Sequence, residues 1–406
     1  MNHKEFTKTV LFRDIFSEAL FALSFDTLGL IAGFIASLIA SYVVKMSWVL
    51  ILYPPLLTVR GNISGVFSGR LTTALHLGLI KPRIRKNTNY FYNLRATVLS
   101  MSFINALTVG FLSYSVSFFF GSSSDISLLI FIMIALLSMM IPTCISIFFL
   151  APLVAFSSYK KGIDPDVIVY PMMSTLNDII VSATYVLIVI MLIFFRKIFT
   201  VLSYVLCLFF TLLFVHSLKY RASGDFRKTF LESMPTVIIL AVISNFAGGV
   251  LSKLKYQIER FPHILVIYPC LIDSVGDEGS IIASTITTKL SLGDIEPSFR
   301  EVSRHESRTY ILGTFSAGFI VFGVFAIIGS LTYAFSLIEV LRSIFMVILT
   351  NAFLMIPLTL ISFGLALVTF KRGLNPDNFT IPIIASLSDF LTTITLFLIV
   401  NVIMGL

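Results

Sequence analysis

The chain alternates long apolar runs with short polar breaks. A helix crosses the hydrocarbon core of a bilayer in about 20 predominantly apolar residues. Eleven runs reach that length, at 23–44, 48–78, 96–120, 126–157, 166–195, 198–217, 234–252, 264–293, 309–335, 337–369 and 377–404. The pattern predicts an all-α polytopic membrane protein of about 11 spans. Several runs exceed one straight crossing, which predicts tilted or broken helices. Residues 1–22 differ. Lys4, Glu5, Lys8, Arg13, Asp14 and Glu18 punctuate this segment. That excludes a secretory signal and predicts an amphipathic helix lying on the membrane face.

Basic residues orient the spans. With the N-terminus in the cytoplasm, the inner segments carry 19 Lys and Arg and the outer segments 7. The bias predicts a multi-pass protein of the cytoplasmic membrane, N-terminus inside and C-terminus outside. Composition agrees: 57% of residues are apolar and 12% charged, against roughly 25% charged in soluble domains. The net charge of +8 is spread between apolar segments and forms no single basic surface, so lipid and not nucleic acid is the expected partner. Cys144, Cys207 and Cys270 lie inside apolar runs and imply packing, with no disulfide framework or zinc site.

The two halves of the chain align. Tyr53-Pro54-Pro55-Leu56-Leu57 and Gly61 match Tyr268-Pro269-Cys270-Leu271-Ile272 and Gly276, and Thr72-Thr73 match Thr287-Thr288. Gly162-Ile163-Asp164-Pro165-Asp166 matches Gly373-Leu374-Asn375-Pro376-Asp377, then Pro171 matches Pro382 and Asp178 matches Asp389. Phe12-Arg13, Phe16 and Glu18 pair with Phe226-Arg227, Phe230 and Glu232. Shared Pro, Gly and Asp in register are not a by-product of apolar composition. Each half holds five spans, and the extra span at 198–217 makes both halves enter the membrane the same way. The expected architecture is an interfacial segment 1–22, a first repeat 23–196, a linker transmembrane helix 197–218 and a second repeat 219–406. The two parallel five-helix repeats are then related by a pseudo-twofold along the membrane normal. Such a chain can act as a pseudo-dimer while monomeric.

Ionisable residues inside a membrane cost on the order of 2.5–3.5 kcal/mol to insert, and so mark functional candidates. Asp178 and Asp389 stand about three turns into the last span of each half. Helical spacing puts Thr175, Asp178 and Ser182 on one stripe, and Ser386, Asp389 and Thr393 on its equivalent. Facing each other across the axis, these oxygen-rich stripes would suit a hard cation. Mg2+ fits because it dehydrates reluctantly and keeps several waters. The competing structural reading is that each aspartate caps a broken helix or pairs with a basic residue.

Gly61, Gly65, Gly69 and Thr73 fall four apart, as do Gly276, Ser280, Ser284 and Thr288. This spacing predicts close helix packing, at Gly61, Gly65, Gly276 and Ser280 in particular. Pro54, Pro55 and Pro269 just ahead predict a helix break that frees carbonyls to line a cavity. Between the halves, Arg60-Gly61-Asn62 gives way to Asp273, Asp277 and Glu278. Asn62, Asp273, Asp277 and Glu278 are candidates for lining the path or for an auxiliary cation site. Equally, Arg60 or Arg70 could pair with one of those acids. His76 reads as structural, and Asp26 has no counterpart that assigns it a role.

At these residues the sequence resembles a known family. Asp164-Pro165-Asp166, Pro171, Ser174-Thr175 and Asp178 look like the last-helix signature of MgtE-type magnesium transporters. Asn375-Pro376-Asp377-Asn378, Pro382, Ser386 and Asp389 are similar, and closer to solute carrier family 41. Pro55-Leu56-Leu57, Arg60-Gly61-Asn62 and Arg70-Leu71-Thr72-Thr73 resemble that family's second-helix motif. Ile272-Asp273, Gly276-Asp277, Gly279-Ser280-Ile281 and Thr287-Thr288-Lys289-Leu290 resemble its two-repeat prokaryotic variant. The resemblance implies a divalent-cation path between the halves, Asp178 and Asp389 holding the ion, and Mg2+ as the bound and transported species. Mn2+, Co2+ and Ca2+ stay open. About 22 residues precede the first span, so gating by a cytoplasmic magnesium-sensing domain is not expected. Asp277 in place of Asn62 makes the path more acidic than the family pattern.

No enzyme is expected. The two transport readings are a passive or gated channel and an exchanger coupled to Na+ or H+ through Asp273, Asp277 and Glu278. An intramembrane aspartyl protease would also use two aspartates on separate spans, and Val275-Gly276-Asp277 faintly resembles such a motif. However, the flanking glycine is missing, and the best aspartate pair sits among hydroxyls.

Overall fold

A computed structural model describes residues 12–121, 126–161, 165–333, 336–372 and 376–403, and its regular structure there is entirely helical. Residues 1–11 and the matched segments 162–164 and 373–375 lie outside the described residues. Helix α1 (Phe12–Ser24) passes through a 3-10 turn, Phe25–Leu28, into α2 (Gly29–Ser37). Next come α3 (Trp48–His76), α4 (Asn89–Phe119) and α5 (Leu128–Ile145). A π-turn at Ser146–Leu150 joins α5 to α6 (Ala151–Lys160), followed by α7 (Pro165–Phe194) and α8 (Arg196–Ser217). The remaining helices are α9 (Gly224–Ser252), α10 (Lys255–Arg260), α11 (His263–Leu292), α12 (His305–Leu331), α13 (Leu337–Lys371) and α14 (Pro376–Ile403).

Ten helical runs among the described residues are long and apolar enough to cross a membrane. The first runs from Phe12 to Ser37, beginning eleven residues and ending seven residues before the expected run 23–44. α1 itself is amphipathic: Ile15, Ala19 and Leu23 are buried, while Arg13, Asp14, Ser17 and Glu18 are exposed alongside Phe12 and Phe21. The expected span 264–293 is α11, of matching length. Its Asp273, Asp277 and Glu278 keep it outside the apolar set.

The helices gather into two compact units that do not coincide with the sequence halves. One comprises residues 1–30 with 270–406, the other 31–269. In the first, α1 lies along α12, with Ile15 against Gly313. In the second, α9 lies along α3 and α4. The leading helix of each half therefore packs on helices of the other half. Within the 31–269 unit, α8 lies on α4, α5 and α7. Its outer side, including Val205, Leu208, Phe209 and Leu212, is exposed, as a lipid-facing linker helix requires.

The prolines do not break their helices. α3 runs continuously through Pro54 and Pro55, and α11 through Pro269. A proline has no N–H to give the carbonyl four residues earlier, so the Leu50, Ile51 and Leu265 carbonyls lose their usual donors. Glycines of neighbouring helices close over this stretch. A Cβ on Gly248 of α9 would stand 2.1 Å from the Ile51 carbonyl oxygen. A Cβ on Gly33 of α2 would stand 1.9 Å from that of Val266 and 2.8 Å from that of Leu265. Gly33 and Gly248, Ile51 and Val266, and Tyr53 and Tyr268 are each 215 residues apart, so the contact recurs in the register of the repeat. The freed Ile51 and Leu265 carbonyls are thus covered by close helix approach, because a bare Cα can reach them.

This contact makes a stability prediction. Gly248→Ala brings a methyl against backbone that cannot rotate away. It is expected to cost about 1–3 kcal/mol as overpacking, more than the gain of about 1 kcal/mol in helix propensity. Gly69→Ala, where a Cβ meets nothing within 4 Å, should be neutral or stabilising. Thermal unfolding of the purified variants in detergent compares the two.

Candidate cation site

Each unit is taken by itself. In the 31–269 unit, α7 carries Thr175, Asp178 and Ser182, all buried, with Asp178 5% exposed. Ser182 does not offer its hydroxyl to a path, since it is hydrogen-bonded to the Tyr53 hydroxyl at 2.9 Å. Tyr185 donates to the Val49 carbonyl at 2.6 Å. These two bonds fix the rotation of α7 against α3 and so the direction of Asp178.

Beside Asp178, Arg60 of α3 is almost fully buried. Its Nη2 donates to Asn177 Oδ1 at 3.2 Å and to the Pro142 carbonyl at 3.4 Å. Its Nε and Nη1 have no hydrogen-bond partner, and Asp178 lies within its electrostatic reach. Asn177 donates in turn to Ser64 Oγ and to the Met173 carbonyl. Arg60, Asn177 and Ser64 form a buried lock between α3 and α7. Arg70, the other basic residue of α3, pairs with Glu232 of α9 at 2.7 Å.

One stripe of α3 stays accessible. Gly61, Asn62 and Gly65 are half-buried, while Gly69 and Thr73 are exposed. Asn62 donates to the Thr58 carbonyl of its own helix at 2.8 Å. A Cβ on Gly61 would meet nothing within 4 Å. At Gly61 the small residue opens space and does not close a helix contact. His76 stands edge-on to Tyr159 at 6.2 Å.

In the other unit, Ser386, Asp389 and Thr393 of α14 are buried, with Asp389 7% exposed. Thr393 donates to the Asp389 carbonyl at 2.7 Å, and Ser386 Oγ has no hydrogen-bond partner. On α11, Gly276 packs against α14, where a Cβ would lie 3.2 Å from Ser388 Oγ. Ser280, one turn on, is half-buried. The three acids of α11 differ: Asp273 is half-buried, Asp277 exposed and Glu278 fully buried.

Asp26, to which sequence gave no role, joins these acids. It lies in the 3-10 turn between α1 and α2, is buried, and accepts a hydrogen bond from Ser274 at 2.6 Å. Asp273, Asp277 and Glu278 are within its electrostatic reach. Asn177, Asn351 and Asp26 are the polar residues sequence reasoning missed. Only the cost of an aspartate in a span flagged one of them. Among the described residues, no group of three His, Cys, Asp or Glu side chains could hold a metal ion. Hydroxyls, carbonyls and retained water can complete the shell of a hard divalent ion besides carboxylates.

The profile of the MgtE family, described as a divalent cation transporter, matches residues 53–188 and 268–399. This chain belongs to the MgtE family. The family is one of divalent cation transporters, which lends no support to the protease reading. The matched segments begin at Tyr53 and Tyr268, the same pair that opens the internal repeat. Solute carrier family 41 member 2 of Mus musculus is 26% identical over 385 residues, covering 89% of this chain and 65% of that protein. The Gallus gallus protein of that name is 27% identical over 366 residues, covering 85% and 62%. Solute carrier family 41 member 3 of Rattus norvegicus is 22% identical over 369 residues, covering 85% and 77%. The chain thus spans less than two thirds of the length of the first two relatives. No solved structure matches it. As an MgtE-family protein with ten candidate spans among the described residues, it is a multi-pass membrane protein.

Proposed function

We propose that this chain moves Mg2+ across the cytoplasmic membrane along a path between its two repeats, with Asp178 and Asp389 holding the ion. The observation that carries the reading is a buried aspartate at the same repeat position of each last helix, 5% and 7% exposed. A carboxylate at that depth is costly unless a cation or donor compensates it. Family membership names the cation class, and oxygen-only chemistry favours Mg2+ over softer ions. The accessible stripe at Gly61, Asn62, Gly65 and Gly69 lines the path from α3, and Asp273 and Asp277 line it from α11. The basic-residue bias supports an N-terminus in the cytoplasm and a C-terminus outside, and the internal repeat is consistent with one chain serving as the pseudo-dimer.

One observation favours a second reading. Asp26, Asp273, Asp277 and Glu278 load one unit with acids that the other lacks, which suits exchange coupled to Na+ or H+. Mg2+ influx into proteoliposomes, followed with an entrapped fluorescent indicator, tests both readings. We expect influx driven by Mg2+, with Mn2+ competing. Absence of flux for every divalent ion overturns the proposal. Flux that ignores imposed Na+ and pH gradients overturns coupling.

A further inference from the structure

One polar constellation in the unit containing residues 270–406 is unexplained by the path. Glu278 of α11 is 0% exposed. Its Oε1 accepts from Asn351 Nδ2 of α13 at 3.0 Å, and its Oε2 has no hydrogen-bond partner. Asn351 is also 0% exposed, and its Oδ1 has none either. On α12, Gly318 lies directly against the pair: a Cβ there would stand 1.7 Å from Glu278 Oε1 and 2.7 Å from Asn351 Nδ2. Thr314 precedes Gly318 by one turn on the same face, is 1% exposed, and its Oγ1 is likewise without a partner. Among the described residues, no Lys, Arg or His forms an ion pair with Glu278.

Two helices thus join Glu278 and Asn351, each with a buried oxygen that lacks a partner, and the third helix carries a further such oxygen, Thr314 Oγ1, one turn from the Gly318 contact. Buried polar atoms are ordinarily satisfied, and a buried carboxylate needs a compensating charge. We propose that Glu278, Asn351 and Thr314 form a closed site for one dehydrated Na+ ion. The chemistry selects the ion. A single carboxylate balances one positive charge. The bare Gly318 contact leaves no space on that side for the water shell Mg2+ retains. A proton on Glu278 is the competing occupant, since a hydroxyl both accepts and donates, and the 22Na+ measurement below separates the two. The site is confined to the second repeat, since Ile63 stands at the position of Glu278 in the first, 215 residues earlier. It deepens the exchange reading and rests on the transport proposal only in giving the bound Na+ a part in flux.

Binding of 22Na+ to the purified full chain, with choline as the replacement cation, tests the site. One saturable Na+ per chain is expected. Glu278→Gln should abolish it. Thr314→Val, which keeps the side-chain shape, and Asn351→Ala should weaken it by about 10- to 100-fold, the range found when a supporting partner of a metal site is lost. Thr314→Val keeps the test open if Glu278→Gln fails to fold. No saturable binding by the wild type, or wild-type affinity in Thr314→Val, overturns the site. Mg2+ flux without 22Na+ binding removes the site and leaves the transport proposal standing. 22Na+ binding without divalent flux does the reverse.

Discussion

Asp389→Asn is expected to abolish most Mg2+ flux while leaving the protein folded. The substitution keeps the size of the side chain and removes its charge. If Asp389 holds the ion, flux should fall at least by the roughly 10- to 100-fold that loss of an outer partner costs a metal site. Thermal unfolding should change little, because Asn fits the same buried place on α14 and carries no charge to desolvate. Asp178→Asn should lose flux equally but behave differently as a protein. Asp178 lies in reach of the buried guanidinium of Arg60, and its removal leaves that cation without a neighbouring negative charge. The pair of variants therefore separates ion handling from folding. Proteoliposome flux and melting in detergent, run side by side, check both. Unchanged flux and unchanged ion preference in Asp389→Asn would sink the assignment of this carboxylate.

The spans and the position of the aspartates were legible because they depend on short-range rules. Apolar run length sets a crossing, and spacing of three or four residues sets a helix face. Which helix meets that face is a long-range matter. Nothing in residues 12–24 says that α1 lies on α12, or that α9 lies on α3 and α4. In both cases a narrow stripe of small and apolar residues would fit several neighbours equally. The prolines misled for a related reason. Their missing N–H groups were read correctly, but the glycines that close over the carbonyls, Gly33 and Gly248, lie on other helices. Asn177 and Asn351 were invisible because an asparagine in an apolar helix looks alike whether it bonds its own turn or joins two helices. Asp26 was visible as a cost, yet its partner Ser274 stands 248 residues away.

Arg60→Met should be the most damaging single substitution in the 31–269 unit. It removes the donor to Asn177 Oδ1 and a guanidinium within electrostatic reach of Asp178 while keeping an apolar side chain of similar length. Breaking a directly bonded buried ion pair costs about 3–5 kcal/mol; Arg60 acts on Asp178 electrostatically, so the loss should be a fraction of that, added to the loss of the Asn177 bond. Arg60 is itself poorly satisfied, with Nε and Nη1 lacking partners, so it is a costly way to stabilise a helix contact. Its retention makes physical sense if it holds Asp178 charged and oriented. That argument has a measurable consequence: the double variant Arg60→Met with Asp178→Asn buries neither charge and should recover most of the lost stability. A double-mutant cycle on unfolding in detergent measures this coupling, and additive effects would exclude it. Mg2+ supplies the second check. If Asp178 holds the ion, added Mg2+ replaces the missing positive charge, and the deficit of Arg60→Met should narrow as Mg2+ rises. The double variant should show no such rescue, because the carboxylate that the ion would bind is gone.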